Sequence, residues 1–303
     1  MQVHRRLITT AAVAVTSLAV AVPATQAAGS HHGHHKGKAK APKAIPLPDG
    51  FGPESLTGSG NTLYAGSSTT GAVWTADAKT GKSRVLVRAQ TGRSAFGTAV
   101  AGKNLLVAGG STGNLYVYDR TTGADVSTIA VGGKLLNDVV VRGNIAYVTD
   151  TLAPVIYEVA LDGSAPPKAI TLTNYPFTAG QPTADGIAWA GNSLLVGDIT
   201  SAALYKIDPA TGAATKIDVG SATFPMNDGV LLIGRTFYVA EGDGRLAVVK
   251  LSGGSDTGSL VSQRTYAKAL TDVARAGGSL WVMDAKFQQS VDPTSKAVAR
   301  RIG

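Results

Sequence analysis

Aligned on a pair of apolar residues inside a short β-rich segment, the chain carries Tyr64, Leu106, Tyr147, Leu195, Tyr238 and Trp281 at intervals of about 41 to 48 residues. Periods of this size belong to propellers and solenoids. Each unit reads as four short strands separated by Gly, Asn, Asp or Thr turns. In the second unit these are Asn104-Leu105-Leu106-Val107, then Leu115-Tyr116-Val117-Tyr118, then the turn Asp119-Arg120-Thr121-Thr122-Gly123. Asp77-Ala78-Lys79-Thr80-Gly81 and Asp208-Pro209-Ala210-Thr211-Gly212 repeat that turn. No apolar run of helical period is long enough for a crossover, which argues against a parallel α/β sheet. A β-sandwich would not bring similar turns back at one period. The expectation is an all-β, six-bladed β-propeller with four antiparallel strands per blade. Aromatics at strand centres (Tyr64, Trp74, Tyr147, Tyr205, Tyr238, Trp281) then belong to the inter-blade core. Residues 44–47 add an extra strand or close the ring against the last blade.

The expected organisation is a signal peptide at 1–28, a disordered His/Lys-rich tail at 29–43 and the propeller at 44–303. Residues 1–28 have a basic start (His4, Arg5, Arg6), an apolar run from Ala11 to Val22 and the small-residue exit Ala24-Thr25-Gln26-Ala27-Ala28. The run is too short to span a bilayer and nothing later is longer. The expectation is therefore a secreted, extracellular protein without a transmembrane segment, acting as a monomer. The formal charge of +8 is concentrated at this end. With Arg5 and Arg6 in the leader and Lys36, Lys38, Lys40 and Lys43 in the tail, the remaining basic residues nearly balance the 20 acidic ones. That balance argues against a nucleic-acid partner, which needs a basic folded face. In the tail, His31, His32, His34 and His35 either serve a solubilising linker or chelate a transition metal.

All five histidines precede Lys36 and the chain has no cysteine. Ser-His-Asp catalysis, cysteine nucleophiles, histidine-dependent lactonase or lyase mechanisms and histidine-ligated zinc are thereby excluded from the propeller. Hydrolysis is left with metal polarisation of a carbonyl and a carboxylate base. About ten residues before each aligned apolar pair stand Glu54, Phe96, Asn137, Asp185, Asp228 and Thr271. In a propeller these are starts of channel-lining strands, where Asp138 follows Asn137 and Asp272 follows Thr271, on the same face as the ends of the second strands, which carry Asp150, Asp198, Glu241 and Asp284. The expectation is a rim of two acidic tiers with few basic residues nearby. Single acids at strand starts commonly form Asx-turns. Glu54, Asp185 and Asp228 in one register instead suit a hard divalent cation, Ca2+ or another, because uncompensated carboxylates repel one another. Tyr175-Pro176-Phe177, in the long connection before the fourth unit, is either a lid over the channel mouth or a packed loop.

Pro53-Glu54, Leu136-Asn137-Asp138, Ala184-Asp185-Gly186-Ile187-Ala188-Trp189 and Asn227-Asp228-Gly229-Val230, in that order, resemble the metal-site motifs of the senescence marker protein/gluconolactonase family of six-bladed propellers. The resemblance, over nearly all of residues 51–303, implies a secreted bacterial member that hydrolyses a lactone at the channel mouth. It implies that Glu54, Asp185, Asp228 and Asn137 surround the cation. By the same resemblance Asp228 is the base that activates water, and Asn137 orients substrate or a metal-bound water. The chain departs from the family in having Asp185 where an amide is usual, Leu135 where sugar-lactone hydrolases have an arginine, and Ser55 where a glycine often follows the glutamate. The first departure favours tighter cation binding. Leu135 shifts the expected small-molecule substrate toward a more apolar lactone or ester. It also leaves open a non-catalytic propeller that binds a ligand or cell-envelope partner.

Overall fold

The computed structural model describes residues 40–266 and 268–302. The leader and residues 29–39 of the tail lie outside the described residues. The rest forms six four-stranded antiparallel sheets, and the described residues contain no helix. Five sheets are built from consecutive strands, running from the axis outward. Blade 3, for example, comprises Leu136–Arg142, Ile145–Asp150, Val155–Ala160 and Lys168–Thr171. This is the six-bladed β-propeller that the repeat predicts.

The paired apolar residues that reveal the repeat have a direct packing reason. Successive side chains of a strand point to opposite faces of its sheet, so an adjacent pair serves both neighbouring blades. Leu105 joins the cluster between blades 1 and 2, and Leu106 joins the one between blades 2 and 3. Trp281 faces blade 1 and Val282 faces blade 5. Six clusters result, one per interface. Tyr64, Trp74, Tyr147, Tyr205 and Trp281 are core members, and Tyr238 packs against the cluster between blades 5 and 6. The recurring turns are also alike in detail. Asp77 Oδ1 accepts from the Lys79 and Thr80 N–H groups, and Asp119 Oδ1 does the same for Thr121 and Thr122.

Closure settles the role of residues 44–47. Blade 6 supplies only Leu270–Ala276, Ser279–Asp284 and Val298–Ile302, and its fourth strand is Ala44–Pro46 from the other end of the chain. Ile45 pairs with Ala299, and the Arg301 N–H donates to the Lys43 carbonyl. The side chain of Ile45 lies in the same cluster as Trp74 and Trp281. The turn Val291-Asp292-Pro293-Thr294-Ser295 therefore belongs to the long connection between the second and third strands of blade 6, which lies on the face where the first strands begin.

Because Ile45 is fully buried at the closing strand, Ile45→Ala is expected to cost about 2–5 kcal/mol. Urea denaturation checks this as a lowered midpoint at unchanged slope.

Candidate functional site

The starts of most channel-lining strands are irregular in a way that turns two consecutive residues to the axis. In blade 3, Leu136 pairs with Asp150 and Val139 with Val148, so Asn137 and Asp138 together oppose Thr149. The same bulge places Asp185-Gly186 opposite Gly197 in blade 4 and Asp228-Gly229 opposite Ala240 in blade 5. In blade 6 the shift falls at Thr271, and in blade 1 the Pro53–Ser67 bridge holds Glu54 in the matching place. A bulge re-aims consecutive side chains that would otherwise diverge.

Two tiers follow from the two bulge positions. The first holds Glu54, Phe96, Asn137, Asp185, Asp228 and Thr271. The second holds Ser55, Gly97, Asp138, Gly186, Gly229 and Asp272. The Asp-Gly pairs are explained here: a Cβ on Gly229 would collide with the Asp272 carboxylate, and one on Gly186 with the Asp228 carbonyl. Asp138 and Asp272, in opposed blades, pin neighbouring strands together. Asp138 accepts from the Val139 and Ile187 N–H groups at 2.8 and 2.9 Å. Asp272 accepts from Val273 and, across the ring closure, from Leu56, both at 2.6 Å.

Glu54, Asp185 and Asp228 each offer a carboxylate oxygen within 4.8 Å of the other two. Asn137 adjoins them, its Nδ2 donating to Thr151 Oγ1 at 2.9 Å. Its Oδ1 is buried without a hydrogen-bond partner, as is Thr271 Oγ1. The small void between these groups is lined by five carboxylates and, among the described residues, by no basic side chain. Burial is the leading cause that raises the pKa of all five. Asp138, held back by its two backbone N–H donors, reaches about 6. Glu54 is pushed further by Asp185, Asp138 and Asp272, and Asp228 by Asp185, Glu54, Asp272 and Asp138. Asp185 and Asp272 are each raised further by Asp138. Of the triad only Asp228 is partly exposed.

The outer acidic tier expected at the ends of the second strands does not face the channel. Asp150 caps a turn, accepting from the Lys134, Leu135 and Leu152 N–H groups. Asp198 accepts from Thr183 and Ser201, Glu241 pairs with Arg245 and Gln263, and Asp284 pairs with Arg300. Each pairs with a residue that precedes the bulge, so the re-aiming that turns Asn137 or Asp228 to the axis leaves it between blades. Asp138 and Asp272, which follow Asn137 and Thr271 at the expected strand starts, do complete the centre. Adjacent residues in one strand normally point to opposite faces, and the bulge is what lets both members of Asn137-Asp138 and Thr271-Asp272 line the channel.

Phe96, the apolar member of the first tier, packs its ring 6.2 Å from that of Phe287. Tyr175 is a packed residue, its ring 4.9 Å from that of Tyr205, whereas Phe177 is exposed. Leu135 packs against the cluster between blades 2 and 3. Beyond Asp138 and Asp272 the channel widens toward the opposite face as a cavity of about 580 Å³ with walls of mixed polarity, among them Val100, Val139, Leu232, Trp189 and Arg275.

No protein-family profile and no curated protein matches the chain at the level of sequence. Solved structures do resemble it. The major Malassezia sympodialis allergen Mala s 1 is 15% identical, with 86% of this chain and 96% of that chain covered at a TM-score of 0.67. A chain of a nidogen/laminin complex is 13% identical over 75% of this chain and 85% of its own, at 0.62. A chain of a mitotic checkpoint complex is 14% identical over 95% and 99%, at 0.56. At such identities the likeness is one of fold.

A carboxyl whose folded pKa is raised keeps its proton in the native state while the unfolded chain releases it near pH 4. Stability of the chelated protein should therefore fall as pH rises from about 4 through about 6 for Asp138, and onward for its neighbours. Melting in chelator checks this: Tm is expected to be higher at pH 5 than at pH 8, and Asp138→Asn should flatten the slope. Equal Tm at the two pH values would rule out the uncompensated cluster.

Proposed function

We propose that the protein is a secreted, Ca2+-dependent lactone or ester hydrolase whose centre lies where the first strands begin, in keeping with its resemblance to the senescence marker protein/gluconolactonase family. The observation that carries this reading is the triad Glu54, Asp185 and Asp228 with its oxygens inside 4.8 Å and no counter-charge. Two oxygens on one calcium at about 2.3–2.6 Å stand no more than about 5 Å apart, so the triad fits one coordination sphere. The unpartnered Asn137 Oδ1 supplies a fourth, neutral ligand. Three carboxylates and an amide oxygen are a hard donor set, suited to calcium at the concentrations of extracellular fluid.

When bound, the cation polarises the substrate carbonyl and stabilises the charge that develops on its oxygen. The chain's residues do the rest. Asp228, the most solvent-accessible of the three, takes the proton of the attacking water as the water oxygen bonds to the carbonyl carbon. The acyl C–O bond then breaks, and the alkoxide leaving group recovers that proton from Asp228. Asn137, held by Thr151, orients the substrate. Phe96 and Phe287 give the mouth an apolar wall, in keeping with an apolar lactone or ester.

A second reading is a non-catalytic propeller that binds a ligand or envelope partner at the same face. It is favoured by Leu135, which presents no guanidinium at the mouth because it packs between blades 2 and 3. Hydrolysis of a panel of lactones and esters separates the two. For the hydrolase, chelator abolishes turnover, calcium restores it, and Asp228→Asn at saturating calcium lowers kcat by about 10²–10⁴. Turnover indifferent to chelator or to Asp228→Asn refutes the mechanism. A calcium-dependent rise in Tm with no turnover of any substrate supports the binding reading, a hundredfold excess over Kd stabilising by about 2.7 kcal/mol.

A further inference from the structure

On the face that carries the carboxylate centre, a cleft of about 380 Å³ lies between blades 5 and 6. Its polar lining is Lys268, Lys286, Lys296, Gln288 and Ser295, the remainder is alanine and glycine, and no carboxylate among the described residues lines it. Lys296 is ion-paired with Asp49 outside the cleft. Lys268 donates to the Lys296 carbonyl at 3.1 Å, which leaves its charge uncompensated. Lys286 enters no ion pair among the described residues, and Gln288 uses its side-chain oxygen on the Asp292 N–H, so its amide N–H groups remain donors.

The strands bordering this cleft run directly into the centre. Ala269, in its wall, stands two residues before Thr271, and its carbonyl accepts from the Ala285 N–H at 3.0 Å. Gly242, in the opposite wall, donates to Met226, two residues before Asp228. Two residues of extended chain span about 7 Å. Phe287, 40% exposed, is flanked in sequence by Lys286 and Gln288 of the cleft and packs on the first-tier ring of Phe96. A lysine-lined cleft, an exposed aromatic ring and a carboxylate centre thus share one face.

We propose that this cleft is an anion subsite, and that the substrate is a lactone or ester with a carboxylate or similar oxyanion separated from its carbonyl by a short apolar segment. The anion sits among the ammonium groups of Lys268 and Lys286 and the Gln288 amide, the apolar segment crosses Phe287, and the carbonyl reaches the Asp228 centre. The substrate assignment rests on the hydrolase reading, whereas the anion subsite stands without it. Small residues at 242, 269, 285 and 297 leave room for the anion, and three lysines without a carboxylate among the described lining residues repel a second cation. A substrate lacking the anion keeps only the apolar and carbonyl contacts.

The test uses the calcium-loaded full chain, with hexanoate as probe, hexanol as its neutral match, and the double variant Lys268→Gln/Lys286→Gln. Saturation-transfer NMR should show hexanoate on the wild type, with binding weakened about tenfold or more in the variant, the loss of charge-assisted hydrogen bonds. Hexanol should show no such contrast. In kinetics with a neutral p-nitrophenyl butyrate and an anionic mono-p-nitrophenyl glutarate, the variant should lower the anionic-to-neutral ratio of kcat/KM about tenfold, through KM. Equal hexanoate binding by wild type and variant overturns the subsite. Hexanoate binding lost in the variant, with neither ester hydrolysed by the wild type, upholds the anion cleft and refutes the hydrolase. Hydrolysis of both esters with an unchanged ratio overturns the subsite and leaves the hydrolase intact. Displacement of hexanoate by micromolar polygalacturonate would assign the cleft to an anionic polymer and overturn the small-substrate assignment.

Discussion

Each blade is a twisted sheet with two apolar faces, and neither can be buried except against a neighbouring blade. Everything else in the structure depends on that mutual burial. It requires the second strand of each blade to feed two clusters, which is why apolar pairs such as Leu105-Leu106 and Phe237-Tyr238 recur. It also requires the ring to close, since an open array would leave the faces of blades 1 and 6 wet. Ala44–Pro46 completes blade 6, and Ile45 lies in the cluster with Trp74 and Trp281 that seals the junction. With no cysteine in the chain, this seal is non-covalent throughout.

The same packing brings six strand starts onto one axis, where backbones approach closely and side-chain volume is scarce. Glycine at 186 and 229 is the response on two blades, because a Cβ there would strike Asp228 or Asp272 of the next. Concentrating five buried carboxylates at that point is electrostatically unfavourable, as their upward pKa shifts express. The inter-blade core tolerates the repulsion. Asp138 and Asp272 offset part of it by stapling blade 3 to blade 4 and blade 6 to blade 1 through backbone N–H groups. Isolated from counter-charge, the centre is poised for a cation or for protons.

Much of the centre was legible before any fold was known. Glu54, Asn137, Asp185 and Asp228 occupy one register of the repeat, and equal register in equivalent blades means convergence on the axis. The fates of Asp150, Asp198, Glu241 and Asp284 were not legible. Each ends a second strand in the expected place, yet its partners are turn amides for Asp150, Thr183 for Asp198, and Arg245 and Arg300 of the adjoining third strands for Glu241 and Asp284, pairings that follow only from how each segment folds back. The lysines near the mouth were equally hidden. Lys268 and Lys286 are 18 residues apart in number and lie outside the strands that carry the repeat, so only the folded connections bring them to one cleft.

The sequence by itself determined the number of blades, the strand alternation, the inter-blade core and the register of the axial residues, because a 3.3 Å rise per residue and a two-residue side-chain period translate directly into position. Only the tertiary structure decided which acids share the void, which are spent on turns and arginines, and that a cationic cleft adjoins the carboxylates. Those outcomes rest on bulges that break the two-residue period and on loops between blades. There, distance in space no longer follows from distance along the chain.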